Sequence, residues 1–529
     1  MTRPFLPADP AVRLEAPTSG TEIEHLLGGD AALPRMLADI RSARGPSSFV
    51  YLASWNCETG LPVPHADNLG DALRRAAESG AQVRLLLWAG ILDEDTMRRL
   101  PLDKQLYVRE FFRRWGPTRA NNLAAAKLVD KLRESGADAR CHLDARHLFA
   151  GSHHQKIVVV GTDDDVIAYV GGIEFSTDRL NVVDAAGKPL KGAPLFDLSL
   201  RIRGAAAYSV LRTFTDRWTA TVARPPVPRA PVPELRGAGR ASPDLASSRR
   251  FVDMLGSGED TAPTTAEAQS GLFVDMLGAA RRPKLEAQVS HTYGRGCPFP
   301  GEVKTAGKAV AAAIRSARKF FYMEDQYYTG TAELKAAITD TLRGDPNRWG
   351  VVVMANEGAV ADLPDVGYWR REFLRPLVEE FPGRFLVFER LGDDGTATGR
   401  TAYVHAKLTI VDDVTAVVGS ANSNYRSWTH DSEILLTVHD PNGPGPLDPV
   451  YWRPIRRLRA EIWQRHLFIT SPDPKAFGDP AAARPWWSEI AAERRKAHVR
   501  RSLTHVPAPR PALGPASDLL WTTVLDPRA

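Results

Sequence analysis

Cysteine is scarce in this chain, with three in 529 residues (Cys57, Cys141 and Cys297) and none in a C-x-x-C pair. That excludes a disulfide framework and speaks against a structural zinc site. No apolar run approaches the roughly 18 to 20 residues that span a bilayer. The N-terminal stretch carries Asp9, Glu15, Glu22 and Glu24 without an apolar core, so no cleavable signal peptide is expected. Charge of one sign is not in excess either. Lys and Arg number 68 against 63 Asp and Glu, leaving +5, too little for a nucleic-acid coat but compatible with an anionic substrate or membrane surface. Hydrophobic residues at 43% and charged residues at 25% are globular proportions that exclude wholesale disorder. A cytoplasmic or peripheral-membrane protein is expected, with signal-independent export left open.

What is present is a repeat. IRSAR occurs at 40–44 and again at 314–318, each time closing an alanine-rich helical pattern. An apolar, aromatic run follows at once in both places, SSFVYLASW at 47–55 and KFFYMEDQYY at 319–328, short enough to read as buried strands. Each half then predicts a helix (69–82, with Gly80 as its stop; 332–343) and another strand (83–88; 349–355). Further strands are expected at 152–161 and 403–413, each followed by a short one with glycine at or next to its end, IAYVGG at 167–172 and TAVVGS at 415–420. Strands alternating with helices predict an α/β fold, and the repeated order predicts two similar domains related by a pseudo-twofold.

Chemistry concentrates in the two histidine–lysine segments. In YVHAKLTIVDD, His405 and Lys407 are two apart, so an extended chain puts both on one face. The full pattern is H-x-K-x4-D-x6-G-S-x-N, ending in Ser420 and Asn422. The first half offers His154-Gln155-Lys156 and then Gly171-Gly172-Ile173-Glu174. Two histidines, two lysines and an asparagine, without a carboxylate cluster of metal-ligand spacing, suit metal-free attack on a phosphodiester. The lysines and amide would hold non-bridging oxygens, one imidazole would attack phosphorus, and the other would protonate the leaving oxygen.

These segments resemble the paired HKD motifs of the phospholipase D superfamily, and most closely its eukaryotic-type branch. SHHQK (152–156), VGGIE (170–174), FFYMEDQYY (320–328), FDLSLRIRGAAAYSVLRTFTDRW (196–218), VHAKLTIVDD through HDSEI (404–434) and LRAEIWQRHL (458–467) carry the likeness. The resemblance implies two α/β sandwich domains with mixed sheets and an active site at their interface. It implies His154 as nucleophile, His405 as general acid, and Asp197 and Glu433 as carboxylates holding the rings. Lys156, Lys407 and Asn422 would bind phosphate, with Ser420 and Gly172 beside it. No cofactor and no metal is expected. One position departs from the pattern: Gly161 stands where the family has aspartate, and the turn there is expected to be altered.

The segments anticipated are an N-terminal extension (1–30), a first catalytic half (31–221), a proline-rich linker (222–284), a second half (285–470) and a basic tail (471–529). The linker holds two copies of FVDMLG, at 251–256 and 273–278, read as surface turns or as docking peptides for a protein partner. The basic stretch 486–501, headed by Trp486 and Trp487, is read as a surface helix able to touch anionic lipid. A separate lipid-targeting domain ahead of the first repeat is not expected. Glu324, Gln326 and Trp55 are expected near the site or in the core. The aspartates at 163–165 and 393–394 are expected to be solvated turns rather than calcium sites. The activity implied is cleavage of glycerophospholipids, or transfer of their phosphatidyl group, by a monomer at a phospholipid surface, with no nucleic-acid partner. A cardiolipin-synthase-like transferase, a nuclease and a catalytically impaired phospholipid-binding protein are the alternatives.

Overall fold

Alternate residues of nearly every central strand are apolar on both faces, which only a sheet covered on both sides can satisfy. In the strand Phe49–Ser54 (β2), Phe49, Tyr51 and Ala53 enter one buried cluster while Val50 and Leu52 enter another. The structure, a computed structural model, describes residues 3–64, 66–89, 102–145, 151–180, 195–223, 284–297, 299, 301–360, 365–392, 402–446, 453–467, 478–493, 496–502 and 526.

The first half contains β1 (Thr18–Leu27), β2, β3 (Gln82–Trp88), β4 (Ala139–Asp144), β5 (Ile157–Gly161), β6 (Val166–Gly171) and β7 (Leu198–Arg203). They lie in the order β4-β3-β2-β5-β6-β7-β1. The second half contains β8 (Leu285–Tyr293), a two-residue β9 (Val303–Lys304), β10 (Phe320–Asp325), β11 (Trp349–Met354), β12 (Phe385–Arg390), β13 (Leu408–Val411), β14 (Thr415–Gly419), β15 (Ser432–His439) and β16 (Val499–Arg501). Its order, β16-β12-β11-β10-β13-β14-β15-β8, repeats the first with one strand added at the edge. In both halves three strands are parallel (β2-β3-β4; β10-β11-β12) and the strands beside them are antiparallel. The halves join where β1 pairs antiparallel with β8. This is the expected α/β fold with two similar mixed-sheet domains.

Helices cover the faces. On one side of the first sheet lie α1 (Gly29–Ser42), α2 (Leu69–Glu78) and α3 (Leu102–Glu134). Asn68 caps α2 by accepting the Asp71 N–H, and Gly80, at φ +93°, turns the chain out of it. The other side of that sheet is covered by α4 (Ala205–Ala223). In the second half, α5 (Thr305–Arg315), α6 (Ala332–Gly344) and α7 (Val366–Glu380) cover one face. A five-residue helix, α8 (Tyr425–Thr429), follows β14, and α9 (Pro454–His466) and α10 (Pro480–Ala491) cover the remaining face. The cluster under α4 runs without a break into the one under α9 and α10, so the two halves share one core.

Three expectations need correction. Residues 18–27, assigned to an extension, form β1, the strand that joins the halves. Residues 480–501, assigned to a tail, supply α10 and β16 to the second half. Trp487 is not at a surface: it is fully buried against Trp463, Tyr322 and Phe388, because the aromatic side of a short helix packs where apolar area is removed from water. The FVDMLG copies, the proline-rich stretch after residue 223 and Asp393–Asp394 lie outside the described residues.

Candidate active site

The two histidine–lysine segments are not strands. His154 and Lys156 lie in extended chain just before β5, and His405 and Lys407 just before β13. Each segment bridges to the opposite half. His153 pairs in parallel with Ser432, through His154 N–H to Ser432 O (3.0 Å) and Ser432 N–H to Ser152 O (2.8 Å). Val404 pairs the same way with Phe196, through His405 N–H to Phe196 O (2.7 Å) and Phe196 N–H to Tyr403 O (2.9 Å). The residue before each histidine is thereby fixed beside the residue before a carboxylate of the other half.

The carboxylates then cross over. Glu433, opening β15 of the second half, accepts from His154 Nδ1 at 2.9 Å, and Asp197, just before β7 of the first, accepts from His405 Nδ1 at 2.7 Å. A carboxylate on Nδ1 leaves Nε2 of each ring as the acceptor, the tautomer a nucleophile or proton carrier needs. Both carboxylates are buried; His154 is the more open of the two rings, its side chain 14% exposed against 9% for His405. Burial holds both imidazoles well below their ordinary range; Lys156 and Lys407 add to this at His154, and Arg179 followed by the two lysines at His405. Burial pushes Glu433 well above the usual carboxylate range, with Asp431 adding to it and the Ser420 hydroxyl opposing it.

Each lysine is buried and lies along its own motif, donating from Nζ to the carbonyl oxygen of the histidine two residues back. Their counter-charges come from different elements. Lys156 has Glu174 at 3.8 Å, in the loop after β6, where the second half has Asn422. Lys407 has Asp325, at the end of β10, where the first half has Ser54. Burial lowers Lys407 to about 8, opposed by Asp197 and Asp325. Asn422 is buried, next in sequence to Ser423, whose N–H donates to Asp325, and its amide oxygen has no hydrogen-bond partner among the described residues.

Other anticipated positions serve as scaffold. Ser420 spends its hydroxyl on Glu433 rather than facing a ligand, and the space a Gly172 side chain would fill is taken by the Asp197 carboxylate, 2.1 Å away. Glu324 is buried, accepting from the Tyr322 hydroxyl and pairing with His466, which makes it core rather than pocket. Gln326 accepts from the Tyr403 hydroxyl at 3.1 Å. Trp55 stands edge-on to His154 (centroids 6.2 Å apart) and against Trp88, a wall on the His154 side. Asp163 and Asp164 stay exposed, while Asp165 closes the turn on Val166 N–H and Arg203.

A family profile described as "Phospholipase D" matches residues 42–186, and one described as "Cardiolipin synthase, PLD-like domain" matches 311–446, together just over half the chain. The chain belongs to the phospholipase D superfamily. Phospholipase D alpha 2 of Oryza sativa subsp. japonica is 24% identical over 542 residues, covering 79% of this chain and 61% of that protein. Phospholipase D beta 1 of Arabidopsis thaliana is 24% identical over 581 residues, covering 87% of this chain and 50% of that protein. These plant relatives agree with the eukaryotic-type branch. The chain spans only about half to three-fifths of their length. A crystal structure of phosphatidylserine synthase from Haemophilus influenzae Rd KW20 aligns with a TM-score of 0.49 at 16% identity, covering 80% of this chain and 83% of that one.

The departure from the superfamily pattern at Gly161 has a steric cause. A Cβ there would lie 2.1 Å from the Phe49 ring. In the second half the matching Asp412 instead accepts three backbone N–H groups, from Arg318, Lys319 and Phe320. The turn after Gly161 is longer (162–165 against 412–414) and closes on Asp165, so the segment carrying His154 is held without the missing carboxylate.

One residue escaped the sequence reading. Arg179, in the short 3-10 turn Thr177–Arg179, is buried with its Nη2 3.3 Å from His405 Nε2 and its Nε 3.1 Å from Asp197. Gly29 at the start of α1 permits this, since a Cβ there would lie 2.0 Å from the Arg179 carbonyl oxygen. The only signal in the sequence was its place five residues after Glu174.

Proposed function

We propose that the protein is a phospholipase D-type phosphodiesterase. It cleaves glycerophospholipids to phosphatidic acid and a free headgroup alcohol at a membrane surface. The observation that carries this reading is the crossed pair of histidine–carboxylate contacts, each built from both halves, with a buried lysine beside each histidine.

His154 Nε2 attacks phosphorus, forming a P–N bond as the P–O bond to the headgroup breaks. Protonated His405 gives its Nε2 proton to the departing oxygen. In the second step water gives a proton back to His405 and attacks phosphorus, breaking the P–N bond and releasing phosphatidic acid. An alcohol in place of water gives transfer by the same route. Lys156, Lys407 and the Asn422 amide meet the charge growing on the non-bridging oxygens, in a buried site where such contacts are worth more than in water. Glu433 and Asp197 fix the tautomers. With protein cations supplying the positive charge, activity is expected to persist in EDTA.

The test is turnover of phosphatidylcholine vesicles in EDTA, with ethanol added to partition hydrolysis from transfer. His405→Ala is expected to lose about 10²- to 10⁴-fold on an ordinary headgroup, the usual worth of general acid–base help. His154→Ala should abolish turnover, and quenched wild type should carry a phosphate adduct on His154 by mass spectrometry. Undiminished turnover in His154→Ala, or an adduct on neither histidine, would overturn the reading.

A further inference from the structure

A neutral imidazole has one donor and one acceptor nitrogen. At His405 the donor is spent on Asp197, so Nε2 is the acceptor, and it accepts from Arg179 Nη2 at 3.3 Å. The atom that must carry the general acid's proton is therefore occupied by an arginine N–H. His154 differs. Its Nδ1 is held the same way by Glu433, and no described residue donates to its Nε2.

Arg179 is held by charge more than by shape. Asp178 lies 2.7 Å from Nη1, Asp197 3.1 Å from Nε and Glu174 3.6 Å from Nη2. Yet Nε and Nη1 make no well-aligned hydrogen bond among the described residues, although the side chain is only 3% exposed. Its Nη2, with the His405 ring at 3.3 Å and Glu174 at 3.6 Å, is the arm left to meet a stronger acceptor. An anionic phosphodiester oxygen is a far better acceptor for that arm than an imidazole nitrogen.

We propose that Arg179 guards His405 in the empty site and transfers to the phosphate when a phosphodiester binds, freeing His405 Nε2 to take up from water the proton it later delivers. This rests on the reading of His405 as the general acid. It makes the two chemically similar histidines unequal: His154 stands ready, and His405 is armed only by substrate. The groups facing His405 agree. From the first half these are Asp197 on Nδ1, Arg179 on Nε2, Lys156 and His154; from its own segment, Lys407 and the Tyr403 ring. The three cations oppose protonation while no anion is bound, and a phosphodiester offsets all three.

The test is a pH titration of the full chain labelled with ¹⁵N in the histidine rings, with His405→Gln identifying the resonance. The probe is dimethyl phosphate, a phosphodiester that stays a monoanion throughout. In the wild type, His405 Nε2 is expected to stay unprotonated below its ordinary titration range, and saturating probe should raise its midpoint by about one pH unit or more. Arg179→Ala should raise the midpoint of the empty protein by a similar amount and reduce the probe's further effect. Arg179→Met, which keeps the side-chain stem, should do the same if the alanine variant does not fold. An unchanged midpoint on adding probe to wild type, a comparison that needs no variant, overturns the proposal; so does an Arg179 variant that titrates like wild type. Loss of turnover in His154→Ala together with a probe-independent His405 would remove only the role of Arg179. A probe-dependent His405 with turnover that ignores His154 would remove the phosphohistidine reading instead.

Discussion

Lys407 is a cation of the site whose charge changes in an accessible pH range. Burial lowers it to about 8, while Asp197 and Asp325 on one side work against Lys156 and Arg179 on the other. It is charged below that value and neutral above it, so the phosphate binding proposed for it is expected to weaken as pH rises through about 8. We expect kcat/KM to fall about tenfold per pH unit beyond that point, as for loss of one essential proton. Lys407→Arg stays charged and should move this limb upward even if its rate at pH 7 is lower; a limb still near 8 in that variant would assign it to another group. Residues such as His154, Lys156, His405 and Lys407 could be read from the sequence because each motif packs its chemistry into three consecutive positions. Arg179 could not, since its contact with His405 spans 226 residues and exists only once the halves are docked.

The turns after β5 and β13 show one element built in two ways. Asp412 ties the start of β10 to the end of β13 through three N–H groups, whereas Gly161 leaves room for Phe49 and hands the turn to Asp165. Gly161→Asp should therefore not repair the first half. It would overpack the ring and cost about 1 to 3 kcal/mol or more, with the loss largely relieved when Phe49→Ala is added. Asp412→Ala, which takes a charged acceptor from three backbone N–H donors, two of them on exposed residues, should cost about 1.5 to 3 kcal/mol. Urea midpoints of the three variants measure this, and a Gly161→Asp protein as stable as the parent would contradict the packing account. The substitution was visible in the sequence; its cause was not, because Phe49 sits more than a hundred positions away.

At the scale of the whole molecule, the duplication was legible because helix and strand periodicity recur in the same order with IRSAR as a marker. The junction was not. In β1, TSGTEIEHLL lacks clean alternation because it is flanked by strands on both edges while much of its surface stays only partly buried, so it reads as an extension. The three residues of β16 are too few and too basic to announce a strand. One consequence of the shared interior is a common response to acid. His153, His154, His405 and His466 are all held below the ordinary histidine range with burial as the leading cause, and His291, buried against Thr213, is lowered to about 3. Above about pH 6.5 neither folded nor unfolded chain protonates these rings. As pH falls through that value the unfolded chain binds protons that the folded one refuses, so stability declines by about 1.4 kcal/mol per pH unit for each such histidine. The buried carboxylates Asp197, Asp325 and Glu433, raised by the same burial, act in the opposite sense and offset part of this loss. Urea midpoints measured at pH 7.5 and 5.5 should therefore drop clearly between the two. His291→Gln, at a position outside the histidine–lysine segments themselves, should flatten that drop by one proton whatever it does to the midpoint itself, and a slope unchanged in the variant would mean that His291 is not the neutral, buried ring described.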